Sequence, residues 1–300
     1  MNSHLENSDL PEILYHYTSQ TGLKGMLNDK TIWASKIHYL NDSKEFALAL
    51  DLARCELNER INAATSKVDC SRLELLRDTI YTIERIEGVN TCVCCFSKRG
   101  DALSQWRGYG DGDNAGFSVG FTKEWFTRVK ETPDLSLIRC IYDPERRQRL
   151  VQDEIDEFLA NNADKEPDYW DRNRLHVDPD RPRTFVPLRH AGDDFAASLA
   201  LIAPRIKHES FEDEKEWRLV AENVSAHELH HRPGRSMLIP YYKIPIADDD
   251  KFDSIREIVV GPTPHLDRSA ASVKSLAIAA GLVNPDNTLT RTTTIPFRNW

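Results

Sequence analysis

Phe211-Glu-Asp-Glu-Lys-Glu-Trp-Arg-Leu-Val220 changes character halfway along. Its first half is acidic, with Glu212, Glu214 and Glu216 spaced two residues apart. Its second half mixes aromatic, aliphatic and β-branched residues, the composition of a strand. A strand over residues 215–221 therefore has carboxylates at its entrance. The plain reading is the solvent face of an edge strand. The chemical reading is a carboxylate held at the start of a core strand.

Working outward, strand-like runs lie at residues 12–17, 31–34, 89–97, 117–121 and 135–142, and again at 236–241, 255–260 and 288–295. A short helix fits residues 21–28. Asp42 and Glu45 form a capping-box pattern ahead of a stripe of Phe46, Leu50, Ala53, Leu57 and Ile61. Ser71 and Glu74 repeat that pattern around Leu73, Leu76, Ile80 and Ile83. The two stripes predict an antiparallel helical pair. Asp143-Pro144 opens a polar helix to about residue 160, and further helices fit residues 194–207 and 267–280, the last closed by Gly281.

Helices cluster early and strands dominate late, without regular βα alternation. That is an α+β pattern, not a doubly wound one. The expected organisation is a loose N-terminus over residues 1–11 and one domain over 12–300. Residues 161–190, rich in Pro and Asp, form a long loop or insertion within it.

The chain has 300 residues, 40% hydrophobic and 29% charged, which excludes wholesale disorder. Its formal charge of −9 argues against general nucleic-acid binding, which needs clustered basic surface. A mean hydropathy of −0.53 and the lack of a long apolar run predict no membrane span. The first residues carry neither a basic region nor an apolar core, so no signal peptide is expected. Six cysteines without an export signal predict reduced thiols and a cytoplasmic location.

Three motifs imitate chemistry. His227-Glu-Leu-His-His231 matches the zinc-protease string, but Arg232-Pro-Gly234 follows at once and denies it a helix. It reads as a solvated loop. Cys92 and Cys95 have no second Cys pair, and Cys in an apolar strand is a small hydrophobe. Gly108-Tyr-Gly-Asp-Gly112 lacks the Lys-Ser/Thr of a phosphate loop. No metal site is expected.

Better signal comes from segments that place aromatic, acidic and hydroxyl residues together. They are Leu14-Tyr-His-Tyr-Thr-Ser19, Trp33-Ala-Ser-Lys-Ile-His-Tyr-Leu-Asn-Asp-Ser-Lys-Glu-Phe46, Cys95-Phe-Ser97 with Leu103-Ser-Gln-Trp-Arg-Gly-Tyr-Gly110, and the acidic strand. With Ile239-Pro-Tyr-Tyr242 and Glu257-Ile-Val-Val-Gly-Pro262, this ordered set resembles a bacterial domain-of-unknown-function family, number 2971, from Leu14 to Phe297. That family in turn resembles the ADP-ribosyltransferase superfamily. The resemblance implies a split β-sheet core with the helical pair packed on it. It also implies NAD as a substrate, an unknown protein or nucleic-acid acceptor, and a stress or phage-defence role.

By the same resemblance, His16 on the first core strand and Glu216, with Glu214 beside it, are the candidate catalytic residues. The hydroxyl or aromatic member between them stays open among Ser35, Tyr39, Ser97 and Tyr109. Tyr17, Thr18, Trp106 and Arg107 complete the candidate NAD-binding set, with Arg107 on the pyrophosphate. Breaking the nicotinamide–ribose bond builds positive charge on the sugar, which a carboxylate such as Glu216 stabilises. His16 would position ribose hydroxyls. The alternative is a catalytically silent ligand-sensing or protein-interaction module on the same fold.

Overall fold

The computed structural model describes residues 10–40, 43–83, 90–109, 116–165, 169, 191–234, 236–247, 253–282 and 289–296. Asp42, the side chain of Glu45, most of residues 161–190 and the glycine-rich segment beyond Tyr109 lie outside them. By internal contacts the chain forms two compact units. The first takes residues 1–39, 92–140 and 210–300, and the second takes 40–91 and 141–209.

Unit 1 holds the strands: β1 Ile13–Thr18, β2 Thr31–Lys36, β3 Cys92–Ser97, β4 Phe117–Thr122, β5 Leu135–Arg139, β6 Glu216–Ala221, β7 His230–Pro233, β8 Leu238–Pro245, β9 Ile255–Val260 and β10 Thr290–Thr292. They form one open mixed sheet in which β10 runs parallel to β9 and the other named pairs are antiparallel.

The layout turns on β3. Along one edge β6 pairs with it throughout, from Cys92 opposite Ala221 to Ser97 opposite Glu216. A strand has only two edges, so β1 and β2 must share the other. β2 takes its start, with Ser35 opposite Val93, and β1 takes its end, with Tyr15 opposite Ser97. Beside Cys94, Cys95 and Phe96 the sheet therefore parts into two arms. One arm is β1, β4, β9 and β10, and the other is β2, β8 and β7.

Side chains alternate across a strand, and directly opposed residues share a face. One face carries Leu14, Phe96, Val119, Trp217, Leu219 and Ile258, all buried. Against it pack α1 (Gln20–Asp29), α5 (Lys123–Val129) and α8 (Leu266–Ala279), through Leu23, Met26, Leu27, Trp125, Phe126 and Val273. Phe96 meets Phe126 edge-on at 4.9 Å, and Phe121 meets Trp125 at 4.7 Å. Each buried ring contributes about 2 kcal/mol. The other face carries Tyr15, Tyr17 and Val259 beneath Trp106 of the short helix α4 (Leu103–Tyr109).

The unit 1 helices start and stop where the sequence provides caps. Ser19 accepts from the Gly22 N–H at 3.2 Å to open α1. Gly281, at φ 85°, closes α8, and the Leu282 N–H reaches the Ala277 carbonyl at 2.9 Å.

Unit 2 is helical: α2 Ser43–Ala63, α3 Lys67–Ile83, α6 Pro144–Asn161 and α7 Ala191–Ile202. The predicted pair α2/α3 forms, but it packs with α6 and α7 inside this unit. Ser71 is no cap, because α3 already begins at Lys67, where the Val68 N–H bonds Ser66 Oγ at 3.2 Å. Asp143 caps α6 as expected, accepting from the Arg146 N–H at 2.8 Å. Glu56, buried in α2, accepts from Arg60, Gln148 and Gln152 at 2.6, 2.8 and 2.8 Å. Burial opposes its charge, and these bonds outweigh that opposition and hold its carboxyl below the usual range. Among the described residues no helix is long and apolar enough to cross a membrane.

Candidate functional site

The acidic run is not a solvated edge. Glu212 and Glu214 lie in a 3-10 turn, Lys215 takes a left-handed φ of 46°, and the strand begins at Glu216. β6 lies between β3 and β5, and all six of its residues are buried. Glu216 itself is 4% exposed. Its Oε1 accepts from Arg218 Nε at 2.7 Å, two residues along on the same face, and Arg218 is 2% exposed. An apolar strand has taken an ion pair into the sheet, a costly arrangement unless both groups are bonded.

Ser97 stands directly opposite Glu216 and Tyr15 directly opposite Ser97, so the three side chains form one row across β6, β3 and β1. Ser97 Oγ donates to the Glu214 carbonyl at 2.6 Å and accepts from the Arg99 N–H at 3.1 Å. Glu214 thus enters through its backbone, with its side chain half-buried in the turn. Tyr15 donates to Glu257 Oε1 at 2.8 Å, and Arg291 bonds both Glu257 oxygens at 2.9 and 3.1 Å. Burial first, then the hydrogen bond to Glu257 and its charge, push the Tyr15 phenol up to about 12.

His16 does not join that row. It lies one residue along β1, opposite Val119, on the face that carries Phe96 and Trp217. Its ring packs 5.7 Å from Phe96. Its Nδ1–H donates to the Cys95 carbonyl at 2.9 Å, where the arms part, with Cys94 Sγ 3.5 Å from the same nitrogen. A carbonyl can only accept, so Nδ1 carries the proton and Nε2 keeps its lone pair. Burial, and next the positive charge of Arg232, lower the His16 pKa to about 4. The imidazole is therefore neutral at pH 7. Cys94 is raised well above an ordinary thiol by burial and then by the Glu216 charge.

On the other arm, Ser35 is buried on β2 and its Oγ accepts from Arg232 Nη2 at 3.3 Å. Arg232, on β7, therefore reaches back toward the parting of the sheet. The motif around it is not the expected loop. Ala226–Glu228 is one 3-10 turn and His230–Pro233 pairs with β8, so the two histidines required by a zinc-protease helix share no helix. Among the described residues no group of three or more His, Cys, Asp or Glu is placed to hold a metal. Cys92 and Cys94 are buried free thiols, with Cys92 pushed up to about 12 by burial.

The aromatic part of the set is committed elsewhere. Tyr17 Oη donates to the Arg99 carbonyl at 2.7 Å and accepts from the Ala102 N–H at 3.0 Å. Its ring meets Trp106 edge-on at 4.8 Å. Trp106 is 1% exposed, so it has no open face for a nicotinamide to stack on. Its Nε1–H bonds Asp101 at 2.7 Å, and Asp101 also ties down Thr293 and Thr294. Thr18 is buried, Tyr39 sits half-buried in a 3-10 turn, and Arg107 is exposed on α4. Tyr109 ends α4, and its side chain lies outside the described residues.

Sequence reasoning missed Arg232, the Glu257–Arg291 pair and the Asp101 knot. Tyr15 and Glu257 are 242 residues apart, a separation no motif spacing reveals. Arg232 sat in a segment whose four-residue strand is too short to show period-two alternation.

Residues 105–219 match the model of a family described as a protein of unknown function, DUF2971. The match runs from inside α4 to within β6, so it includes Glu216 and Arg218 and leaves out His16 and Ser97. No curated protein and no solved structure matches the chain.

Proposed function

We propose that unit 1 is an NAD-dependent ADP-ribosyltransferase that uses Glu216 to stabilise the ribosyl cation and passes ADP-ribose to a protein or nucleic-acid acceptor. The observation that carries the reading is the parting of the sheet beside β3. His16 and Ser35 stand on its two arms, and Glu216 lies on the strand along the far edge of β3. A fixed carboxylate supplies what the reaction needs, negative charge where positive charge develops. His16 leaves the sheet on the face opposite Glu216, so in this reading it makes no contact with the ribose that Glu216 stabilises. Arg232, which donates to Ser35 on one arm of the parted sheet, joins Arg107 as a candidate cation for a pyrophosphate. The cofactor contacts assigned to Tyr17 and Trp106 drop out of the reading.

A second reading is favoured by the burial of Glu216 and its pairing with Arg218. A carboxylate closed off in this way belongs equally to a ligand-sensing module without turnover. Incubation with labelled NAD and cell extract separates the two. Label transfer with nicotinamide release supports the transferase, and saturable NAD binding without release supports the module. No NAD binding at all removes the transferase and leaves only a module for another ligand or for a protein partner.

A further inference from the structure

We infer that Arg218 is a positioning residue for Glu216, holding its carboxylate charged and aimed without itself touching NAD; the inference rests on the transferase reading above. Arg218 stands opposite Cys95 of β3 and Ile138 of β5, so strands close it in on both sides. It is 2% exposed and delivers Nε, the nitrogen nearest its stem, to Glu216 Oε1 at 2.7 Å. A lysine has no donor at that point, so the contact needs the guanidinium.

Stability alone is a poor reason for such a pair. Apolar residues of similar volume in place of a buried ion pair are often neutral or stabilising. The neighbours Leu219 and Val220 show that this strand accepts apolar side chains on both faces. What the pair secures is a carboxylate that stays ionised and points one way. Transition-state stabilisation needs both before the bond breaks, because any reorganisation then adds to the barrier.

The test measures nicotinamide release from labelled NAD by the full chain, with four variants: R218Q, R218K, E216Q and E216Q/R218Q. R218Q should lower kcat about 10- to 100-fold, the scale for removing a supporting partner at a metal site, with KM for NAD little changed. R218K should fall between wild type and R218Q. In the E216Q background R218Q should cost nothing further, because Arg218 acts only through the missing carboxylate. Melting curves check that each variant is folded. If R218Q alone does not fold, R218K decides, together with the double variant, which buries no charge.

Wild-type kcat in R218Q, or in R218K where R218Q does not fold, overturns the inference and leaves the transferase reading standing. So does further loss when R218Q is added to E216Q, or a raised KM at unchanged kcat, which would mean direct contact with NAD. Absence of nicotinamide release from the wild-type chain removes the transferase reading, and this inference with it.

Discussion

His16 and Glu216 flank β3 from opposite edges, and their side chains leave the sheet on opposite faces. The imidazole reaches back to the β3 backbone only at the parting of the sheet, through the Cys95 carbonyl. One cleft lined by both side chains, as the resemblance implies, is therefore not what the register gives. The two residues should respond to mutation in different currencies, Glu216 in rate and His16 in stability.

Glu216→Gln should lower the chemical step roughly 10²–10³-fold, the scale for one preorganised electrostatic partner. NAD affinity should change less, because the ribosyl charge develops only toward the transition state. Folding is not spared, since Arg218 loses its buried counter-charge at a cost of about 3 kcal/mol. Turnover must accordingly be normalised to folded protein. Glu212→Gln, on the exposed turn, should be near silent. Equal loss in both variants would place the effect outside Glu216.

Much of the fold was legible where one local rule decided it. The strand at residues 255–260 has the predicted ends, Asp143 caps its helix, and Gly281 closes the last one. What was not legible came from pairing. Alternation along residues 212–216 gives the same pattern for an edge strand and for a turn leading into an interior strand. Only the flanking β3 and β5 distinguish them. The face on which His16 lies depends on a one-residue register between β1 and β3, and a single sequence carries no such register. Trp106 is an aromatic in a polar segment, yet its indole N–H serves Asp101.

His16 sets an acid limit on stability. Its pKa is lowered from 6.5 in the free side chain to about 4 in the fold. Between those values the unfolded chain binds a proton that the folded chain does not, so stability falls as pH drops from 6.5 toward 4. The loss should be on the order of 2 kcal/mol, allowing for partial access of solvent to the ring. Urea unfolding from pH 7.5 to 4.5 measures it. His16→Asn keeps a donor near Nδ1 and cannot titrate, so its profile should be flatter over that window. Parallel profiles would show that the ring is protonated in the fold as easily as out of it.

Thiol reactivity should rank by burial. Cys55 is exposed, whereas Cys92 and Cys94 are buried with their thiols pushed up. The thiolate is the reactive form, so maleimide at pH 7.5 should label Cys55 first. Cys92 and Cys94 should label only in denaturant. Mass mapping of the labelled peptides checks the order. Early labelling of Cys94 would mean that the parting beside β3 opens far more than the packing around His16 allows.

Tyr17→Phe separates a structural tyrosine from a cofactor contact. The hydroxyl bonds the Arg99 carbonyl and the Ala102 N–H, the turn that carries Asp101 and leads into α4. Its loss leaves a donor and an acceptor without their partner in a poorly hydrated place, which costs about 1–3 kcal/mol. The phenyl ring keeps its edge-on packing against Trp106, so no cavity adds to that figure. Chemical denaturation should show the loss, while NAD affinity measured by calorimetry stays at the wild-type value. If Tyr17 instead bonded the nicotinamide, affinity would drop and stability without ligand would hold. That opposite pattern would restore Tyr17 to the binding set and require α4 to move aside when NAD enters.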